Sequence, residues 1–431
     1  MTSSIAQKAF QNIIRRAGKV WEDAFLITGV SMFPLLYMTY RGWTNRWLVA
    51  LFVLALVFSI FRWKLIKTEL GDRFSQLLIL TLASPFLAIL LSQLLRNDIN
   101  INAYDGPLRF FLAGLIFLYL KHKQVDFLYL FQYIAPISLL IAVGAIFYYP
   151  ETSAYWGGRY ASYFVDPLTF GGYALVIGFT CLFLLNVKKD TLFLSALKLM
   201  GFACGLFLSI GSGSRSGWMA VPFVLGLWVF INRKNKKLVI NASLILISAF
   251  LITLFLNENL QQRILSIFQE IYAWFTNQAN KEEGSGGMRL TMWRMSWVLF
   301  LESPLYGYGD PVGYKHLLEQ PLLTSFAGPN SLGAITLGPH HEIFGQMLRS
   351  GIFGLIAGLL LFFAPMTVFI QQLRRNSQNL AAQVGLAFVL GLFICSLSIE
   401  VFNLKYTTSF YALMLACLGA QALSFDQRAS S

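Results

Sequence analysis

Arginines and one histidine are the residues of this chain whose types and positions could do chemistry. Arg215 lies in the short run Gly-Ser-Gly-Ser-Arg-Ser-Gly at 211–217, and Arg159 and Arg289 lie close to glycines in two other polar segments. Arginine is always charged and can hold a phosphate through two parallel hydrogen bonds. His340 titrates near neutral pH and could accept a proton from a reacting hydroxyl. Together these residues predict a site for a phosphate-bearing ligand beside a general base.

The turn around Arg215 is itself suited to anions. Its glycines and serines keep side-chain bulk low and expose backbone N–H groups at the start of a helix, where the helix dipole favours negative charge. A tight hairpin whose arginine snorkels to the membrane interface would explain the same residues. The sequence leaves both interpretations of this turn open.

The carboxylates of the chain are scattered. Asp98, Asp105, Asp166 and Asp310 stand far apart, and the sequence has no Asp-x-Asp motif of the kind that binds Mg²⁺. The four cysteines lie inside apolar runs without metal-ligand spacing. We therefore expect no metal and no cofactor, with arginines providing the electrostatic stabilisation that a metal ion supplies elsewhere.

The histidine is expected at the outer tip of a membrane helix that carries a stripe of glycines. A helix turns about 100° per residue, so the eleven steps from His340 to Gly351 return to nearly the same face. Gly354 and Gly358 continue that face and would let another helix approach closely. His341 would point about 100° away, which favours His340 as the base and leaves His341 a secondary candidate. A polar helix start with a packing seam is the simpler interpretation, but the arginines on the same side favour catalysis.

Composition identifies the class of protein that must position these residues. The chain has 431 residues, 56% of them hydrophobic and 12% charged, with a mean hydropathy of +0.61, which is typical of an integral membrane protein. Apolar runs are long enough to cross about 30 Å of hydrocarbon in about twelve places. They lie near 24–40, 46–63, 73–95, 108–120, 127–149, 167–187, 191–211, 216–232, 238–256, 342–370, 380–399 and 406–424. We expect an all-α polytopic fold, with the first run retained as a span because it lacks a cleavage pattern.

Lys and Arg clusters alternate along the connections between these spans, and the positive-inside rule makes the side that holds them cytoplasmic. Both termini then lie in the cytoplasm and His340 faces outward. The clusters are Lys8 with Arg15, Arg16 and Lys19; Lys64, Lys67 and Arg73; Lys121 and Lys123; Lys188 and Lys189; Arg233, Lys234, Lys236 and Lys237; Arg374 and Arg375. They account for much of the net charge of +13, and since they do not form one continuous basic face, we expect membrane lipids and no nucleic acid as partners.

The pattern divides the chain into spans one to nine at 1–256, an outward loop subdomain at 257–341, and spans ten to twelve at 342–431. Within the loop, apolar residues at 3–4 spacing predict an amphipathic helix over 258–276. A polar, Gly-rich joint is expected at 281–287. No internal repeat is visible in the sequence.

Arg109 and Glu400 are further secondary candidates for the site, besides His341. Arg109 follows Asp105 at the start of a span, and we favour a simple ion pair between the two. Glu400 could pair with Lys405 at the last outer turn or help to position a substrate, and we favour the structural role. Trp293 lies four residues after Arg289 and could support that arginine from the same helix face.

The run from Pro339-His340 to Gly351-Ile-Phe-Gly354 resembles the signature of bacterial O-antigen ligases and their wider ligase/polymerase superfamily. That signature has a histidine, a polar residue, nine further residues and then Gly-x-x-Gly; here the polar position holds His341. The run Ser-Arg215-Ser-Gly resembles the arginine turn of the family. The stretch from Arg289 through Trp293 to Pro304-Leu-Tyr-Gly-Tyr-Gly309 resembles its periplasmic segment.

The resemblance implies a glycosyltransferase with the C-type membrane fold in the bacterial inner membrane, acting at the periplasmic face. It would transfer a polysaccharide from undecaprenyl pyrophosphate to lipid A–core in lipopolysaccharide biosynthesis. His340 would be the general base. Arg215 and Arg289, with Arg159 as a weaker candidate, would stabilise the pyrophosphate leaving group.

Other functions remain open at this point. O-antigen polymerases of the same superfamily usually have two sizeable periplasmic loops, whereas the loop at 150–166 is short here. Protein O-oligosaccharyltransferases tend to carry a further C-terminal domain, which we do not expect here. A lipid-linked sugar flippase would also need a charged cavity, but transporters place ionisable groups near the membrane midplane and often contain repeats.

Overall fold

The computed structural model describes residues 20–186, 188–234, 284–309 and 311–430, together with scattered positions between 235 and 283. The described residues are helical and contain no β-strand. The long helices are α1 (Trp43–Phe61), α2 (Arg73–Arg96), α3 (Asp105–Lys123), α4 (Phe127–Tyr148), α5 (Pro167–Phe183), α6 (Leu192–Ser212), α7 (Arg215–Asn232), α8 (Ser285–Glu302), α9 (Glu342–Arg375), α10 (Leu380–Ser396) and α11 (Lys405–Ser430). Short helices lie at Trp63–Glu69, Pro150–Tyr155, Pro321–Thr324 and Pro329–Ala334, and 3₁₀ turns at Ile101–Tyr104, Pro311–Leu317 and Ile335–Leu337.

Polar residues start several of these helices in the way their chemistry predicts. The side chains of Asp72, Asp126, Asp166 and Asn379 each accept hydrogen bonds from backbone N–H groups in the first turn of a long helix. Pro167 follows Asp166 at the first helical position, where its missing N–H costs nothing. These caps fix where the apolar runs become helices.

Six of the described helices are long and apolar enough to cross a membrane, namely α1, α2, the stretch Ile101–Lys123, α4, α6 and α9. Three shorter apolar helices are Pro167–Phe183, Gly217–Asn232 and Leu380–Ser396. The chain is therefore an all-helical, multi-pass membrane protein, while the count of about twelve spans stays a prediction. The expected span at 238–256 and the amphipathic helix at 258–276 lie largely outside the described residues. At the expected first span, the described residues are helical over 20–32 and form turns up to 42.

Helices α5 and α11 form the centre of the bundle. Almost every residue of α5, and of α11 up to Ser424, is buried, so these helices are apolar on all sides because they have no face toward lipid. Helix α5 packs most extensively on α6, helix α11 on α3, and α9 on α2. The small residues Gly178 and Gly205 meet at the contact of α5 with α6, where an added Cβ would lie about 3 Å or less from the facing backbone.

The segment from α8 to the start of α9 has an apolar core of its own. Met292, Met295 and Leu299 of α8 pack with Tyr314, Leu318, Leu323, Ala327 and Ile335 of the following turns, and with Leu348 of α9. Helix α8 begins at Ser285, so the expected joint at 281–287 is already helical in its last three residues. Glu302 ends α8, and Gly307 and Gly309 then adopt positive φ in the turn that the sequence predicts.

Helix α9 is broken, and the single span expected at 342–370 is wrong in this respect. Ser350 and Gly351 have non-helical backbone angles, with Gly351 at φ 59° and ψ −138°. A Cβ added to Gly354 would lie 1.8 Å from the carbonyl oxygen of Gln346, although residues eight apart in a continuous helix are separated by about 12 Å. Residues 342–349 therefore fold back on the long limb as a helical hairpin. The long limb, Ile352 to Arg375, is still about 36 Å long and can span a bilayer.

The break also removes the argument that placed His340 and Gly351 on one helix face. His340 precedes the helix, which starts at Glu342, and Gly354 and Gly358 pack against the short limb of their own hairpin. The hairpin is held by the turn before it: the N–H groups of Tyr308 and Gly309 donate to Leu348 and Arg349 (2.7 and 2.9 Å). The glycine stripe thus allows close packing, as predicted, but Gly354 and Gly358 pack against the short limb of α9 and not against another helix.

Candidate active site

Arg215 lies at the first position of α7, directly after the turn formed by Gly213 and Ser214. Gly213 has φ 66° and ends α6, while the Ser214 hydroxyl donates to the carbonyl of Leu168 (2.9 Å). A cation at a helix N-terminus opposes the helix dipole, at a cost of roughly 0.3–1 kcal/mol. The charge of Arg215 therefore does not stabilise α7, and its guanidinium makes contacts outside this helix.

Those contacts reach the segment 270–289. One guanidinium nitrogen of Arg215 lies 3.5 Å from a carboxylate oxygen of Glu270 and donates to the Ser285 hydroxyl (3.2 Å). The other oxygen of Glu270 accepts from the backbone N–H of Gly286 at 2.6 Å. Arg289 donates to the carbonyl of Ser285 (3.4 Å). Arg215 and Arg289, far apart in sequence, are thereby brought to one place around the start of α8.

Arg159 lies beside this pair but has a structural task. Its guanidinium donates to the carbonyls of Ser212 (2.7 Å) and Gly213 (3.5 Å), at the negative end of the α6 dipole. The charge of Arg159 still acts on Arg289. Burial is the largest cause that lowers the pKa of Arg289, and the cations Arg215 and Arg159 lower it further, while Glu270 raises it. Since arginine stays charged throughout, the three guanidinium groups form a positive region, which we call the arginine cluster.

His340 joins the arginine cluster. Its imidazole is half-buried, and its backbone has φ 51°, the left-handed region that a non-glycine residue adopts only when its surroundings hold it there. Burial and the guanidinium of Arg289 lower the pKa of His340 below its usual value, while the Asp166 carboxylate acts in the opposite direction. The lowered pKa favours the neutral imidazole, the form that can accept a proton.

His341 has a structural role at the start of α9. The Nδ1 atom of His341 accepts the N–H of Phe344 (3.4 Å) and caps α9. Its ring packs edge-on against Trp293 at 5.1 Å between centroids and against Phe344 at 4.5 Å. Burial lowers the pKa of His341 to about 4, so the ring stays neutral and keeps its acceptor. In this chain the polar position of the resemblance is therefore the N-cap of α9, and a histidine fills it.

Trp293 therefore supports the histidine pair, where the sequence had suggested a contact with Arg289. Its ring lies against His341 and also 6.2 Å from Phe344. Trp293 of α8 thus contacts His341 at the start of α9.

Glu400 braces the turn that carries His340, and its expected pairing with Lys405 is wrong. The Glu400 carboxylate accepts from Arg349 at 2.7 Å and from the backbone N–H of His340. It also lies so close to Gly338 that an added Cβ there would be 2.0 Å from Oε1. Burial raises the pKa of Glu400 to about 7, with Arg349 opposing the shift. Lys405 instead lies 3.7 Å from Asp105.

Glu342 provides a second brace in the opposite direction. Its two carboxylate oxygens accept from the Gln346 side chain (2.8 Å) and from the backbone N–H of Phe402 (2.9 Å). The loop between α10 and α11 thus holds the hairpin of α9 through Glu400, and the hairpin holds the loop through Glu342. Two such contacts fix the position of the His340 turn from one side.

The remaining secondary candidate, Arg109, is where the sequence predicted. It forms an ion pair with Asp105 one helical turn earlier. Among the described residues, no three His, Cys, Asp or Glu side chains are grouped so that they could hold a metal ion. The sequence missed Glu270, Glu342 and Arg349, because only chain folding over long separations shows what they contact.

Comparison with known proteins bears on the same segment. Residues 200–363 match the family model described as O-antigen ligase. An uncharacterised protein of Haemophilus influenzae is 26% identical over 309 residues, which cover 68% of this chain and 72% of that protein. An O-antigen ligase of Salmonella typhimurium is 28% identical over 166 residues, 37% of this chain and 36% of the length of that ligase. The matched segment, which contains Arg215, Arg289 and His340, is similar to the O-antigen ligase superfamily.

Proposed function

We propose that this protein is an O-antigen ligase that transfers a polysaccharide from undecaprenyl pyrophosphate to lipid A–core at the periplasmic face of the inner membrane. The observation that supports the proposal is the convergence of Arg215 and Arg289 on Ser285 at the start of α8, together with the effect of the Arg289 charge on the half-buried imidazole of His340. A base and a phosphate-binding cation at one place are what a glycosyl transfer from a lipid pyrophosphate requires.

In the proposed reaction, a hydroxyl of the acceptor attacks the anomeric carbon of the donor sugar. The bond from that carbon to the pyrophosphate oxygen breaks as the new glycosidic bond forms. The hydroxyl proton passes to the imidazole of His340, and the leaving undecaprenyl pyrophosphate carries the negative charge. His340 then releases the proton to water.

Arg215 and Arg289 are proposed to stabilise the charge on the leaving pyrophosphate. Arg289 is the better placed of the two to bridge base and leaving group, because its charge acts on His340. Arg159, whose guanidinium is bonded to the end of α6, would contribute charge but fewer direct hydrogen bonds. We propose that this electrostatic stabilisation makes a metal ion unnecessary.

The test is a reconstituted reaction with purified protein, lipid-linked polysaccharide and lipid A–core, with and without EDTA. We expect transfer in both. His340→Ala should lower turnover by roughly 100- to 10,000-fold, the range for loss of a general base, with undecaprenyl pyrophosphate still bound. The matched control is His341→Asn, which keeps the helix cap and should remain active.

Three results would contradict the proposal. An active His340→Ala variant would remove the base. If EDTA abolished turnover and Mg²⁺ restored it, the reaction would require a metal ion. Extension of one lipid-linked repeat by another, with no transfer to lipid A–core, would identify the chain as a polymerase.

A further inference from the structure

A cavity with polar and apolar lining residues lies between α2, α3, α9 and the start of α11. Its volume is about 440 Å³, within the range of roughly 300–1,000 Å³ that is usual for small-molecule sites. Leu337, Gln346 and Arg349 form one wall, so the segment that carries His340 also borders this cavity. The residues of the arginine cluster, which the structure describes, do not line this cavity.

The uncharged lining is of the kind that binds a sugar. Asn102 and Asn403 are among the lining residues, and their side-chain amides can both donate to and accept from hydroxyl groups. The aromatic rings of Phe110 and Tyr406 provide apolar surface beside them. This combination suits a monosaccharide better than it suits a lipid tail.

Cations add a preference for a negatively charged sugar. Arg96, Arg349 and Lys405 line the cavity. Glu400 pairs with Arg349 at 2.7 Å, and Asp105 lies 3.7 Å from Lys405, whose side chain is 47% exposed. Three cations against two carboxylates leave positive charge, and guanidinium and ammonium groups form strong hydrogen bonds to phosphate.

The surroundings of the cavity fit a ligand with one end in the membrane. Four large apolar residues at the end of α2 and the start of the next segment are exposed beside Arg96 and Asn102. These residues are Leu94, Leu95, Ile99 and Ile101. Exposed apolar surface next to a polar cavity is what an amphiphile would use, with its acyl chains in the bilayer and its sugar in the protein.

The cavity is connected to the base by two contacts. Arg349 lines the cavity and pairs with Glu400, whose carboxylate also accepts the backbone N–H of His340. A hydroxyl must attack the anomeric carbon from the side away from the leaving pyrophosphate. The acceptor therefore needs a site of its own that adjoins the base and is separate from the arginine cluster.

We propose that this cavity binds the phosphorylated sugar of the glycolipid acceptor. The proposal rests on the proposed function and names the acceptor side of the same reaction. The donor pyrophosphate then occupies the arginine cluster, and the segment 337–350 lies between the two substrates.

The test measures direct binding of purified lipid A–core, intact or phosphatase-treated, and in parallel the binding of undecaprenyl pyrophosphate. Gly106→Leu fills the cavity from α3, where an added Cβ would meet only Thr408 at 3.9 Å. Lys405→Gln removes one exposed cation. We expect each to weaken binding of intact lipid A–core by roughly tenfold or more, and phosphatase treatment to do the same in the wild type. Undecaprenyl pyrophosphate should bind as in the wild type, which also reports that the variants are folded.

The matched controls are Gly333→Leu, at an exposed glycine with nothing within 4 Å, and Lys315→Gln, at an exposed lysine. Neither should change acceptor binding. Wild-type affinity for lipid A–core in both Gly106→Leu and Lys405→Gln would overturn the cavity assignment while leaving the proposed function intact. A wild-type protein that binds undecaprenyl pyrophosphate but neither binds nor modifies lipid A–core would overturn both.

Discussion

Gly338 is the position where one added methyl group should test how the His340 turn is held. Its backbone angles, φ 120° and ψ 162°, belong to a region that glycine alone adopts readily. An alanine there costs about 1–3 kcal/mol in backbone strain. In addition, its Cβ would lie 2.0 Å from Oε1 of Glu400.

The contact decides the size of the effect. To reach an ordinary separation of about 3.4 Å, the carboxylate must retreat by about 1.4 Å from its present 2.0 Å. That movement takes Glu400 away from Arg349, now at 2.7 Å, or from the N–H of His340. Loss of one charge-assisted hydrogen bond costs about 1.5–3 kcal/mol. We therefore expect Gly338→Ala to lower the free energy of unfolding by about 2.5–6 kcal/mol.

Turnover should fall as well, because His340 is two residues away. A displacement of about 1 Å at a reacting group can cost roughly 100-fold in rate. The measurements are the unfolding temperature of the purified protein in detergent and the rate of polysaccharide transfer. The matched control is Gly333→Ala, which lies in a short helix with open space around it and should be neutral or slightly stabilising.

A double-mutant cycle with Glu400→Ala separates the two contributions. Removing the carboxylate makes room for the methyl group, so the double variant should lose less stability than the sum of the single variants. Strict additivity, or a Gly338→Ala protein with wild-type stability and turnover, would show that Glu400 does not brace the turn.

Three further predictions concern the site and its side of the membrane. Arg215→Lys and Arg289→Lys keep the positive charge but lose the planar pair of donors. Each variant should insert into the membrane normally and lose on the order of tenfold or more in kcat/KM. Wild-type rates in both variants would indicate that these arginines only extend to the membrane interface and do not bind the substrate. Activity should rise with pH through the pKa of His340, because the base must be neutral to accept a proton. Arg289→Gln should move this acid limb of the pH profile to higher pH, since Arg289 lowers the pKa of His340. An acid limb at the wild-type pH in this variant would show that Arg289 does not act on the base. A cysteine at the exposed Ser325 should react with an impermeant reagent on intact spheroplasts, and labelling only after lysis would reverse the predicted orientation.

Much of the architecture can be predicted from the sequence because it depends on local chemistry. Apolar runs of sufficient length are helical, with helix boundaries mostly within a few residues of those expected, and aspartate or asparagine caps begin several of them. The Asp105–Arg109 ion pair follows from a spacing of four residues on one helix. The short hairpin before Arg215 follows from its glycines and serines.

The break in α9 could not be predicted in this way. Periodicity assumes a continuous helix, and glycine at 351 permits a break without requiring it. The partners that hold the break are Pro304, Tyr308 and Gly309, more than forty residues earlier, whose backbone groups bond to the chain on either side of it. The choice of His340 as the base rested on the family signature and on a helix face that the break removes, and it stays a prediction.

The sequence by itself determined the class of protein, the helical segments and the residue types available for chemistry, because hydropathy, caps and charge act over a few residues. Only the tertiary structure decided which residues meet. Arg215 contacts Glu270 and Ser285, Arg289 acts on His340, and Glu400 pairs with Arg349 in place of Lys405. These contacts join residues that lie about fifty to seventy positions apart in the sequence. Their partners are chosen by the packing of whole helices, which no local pattern encodes.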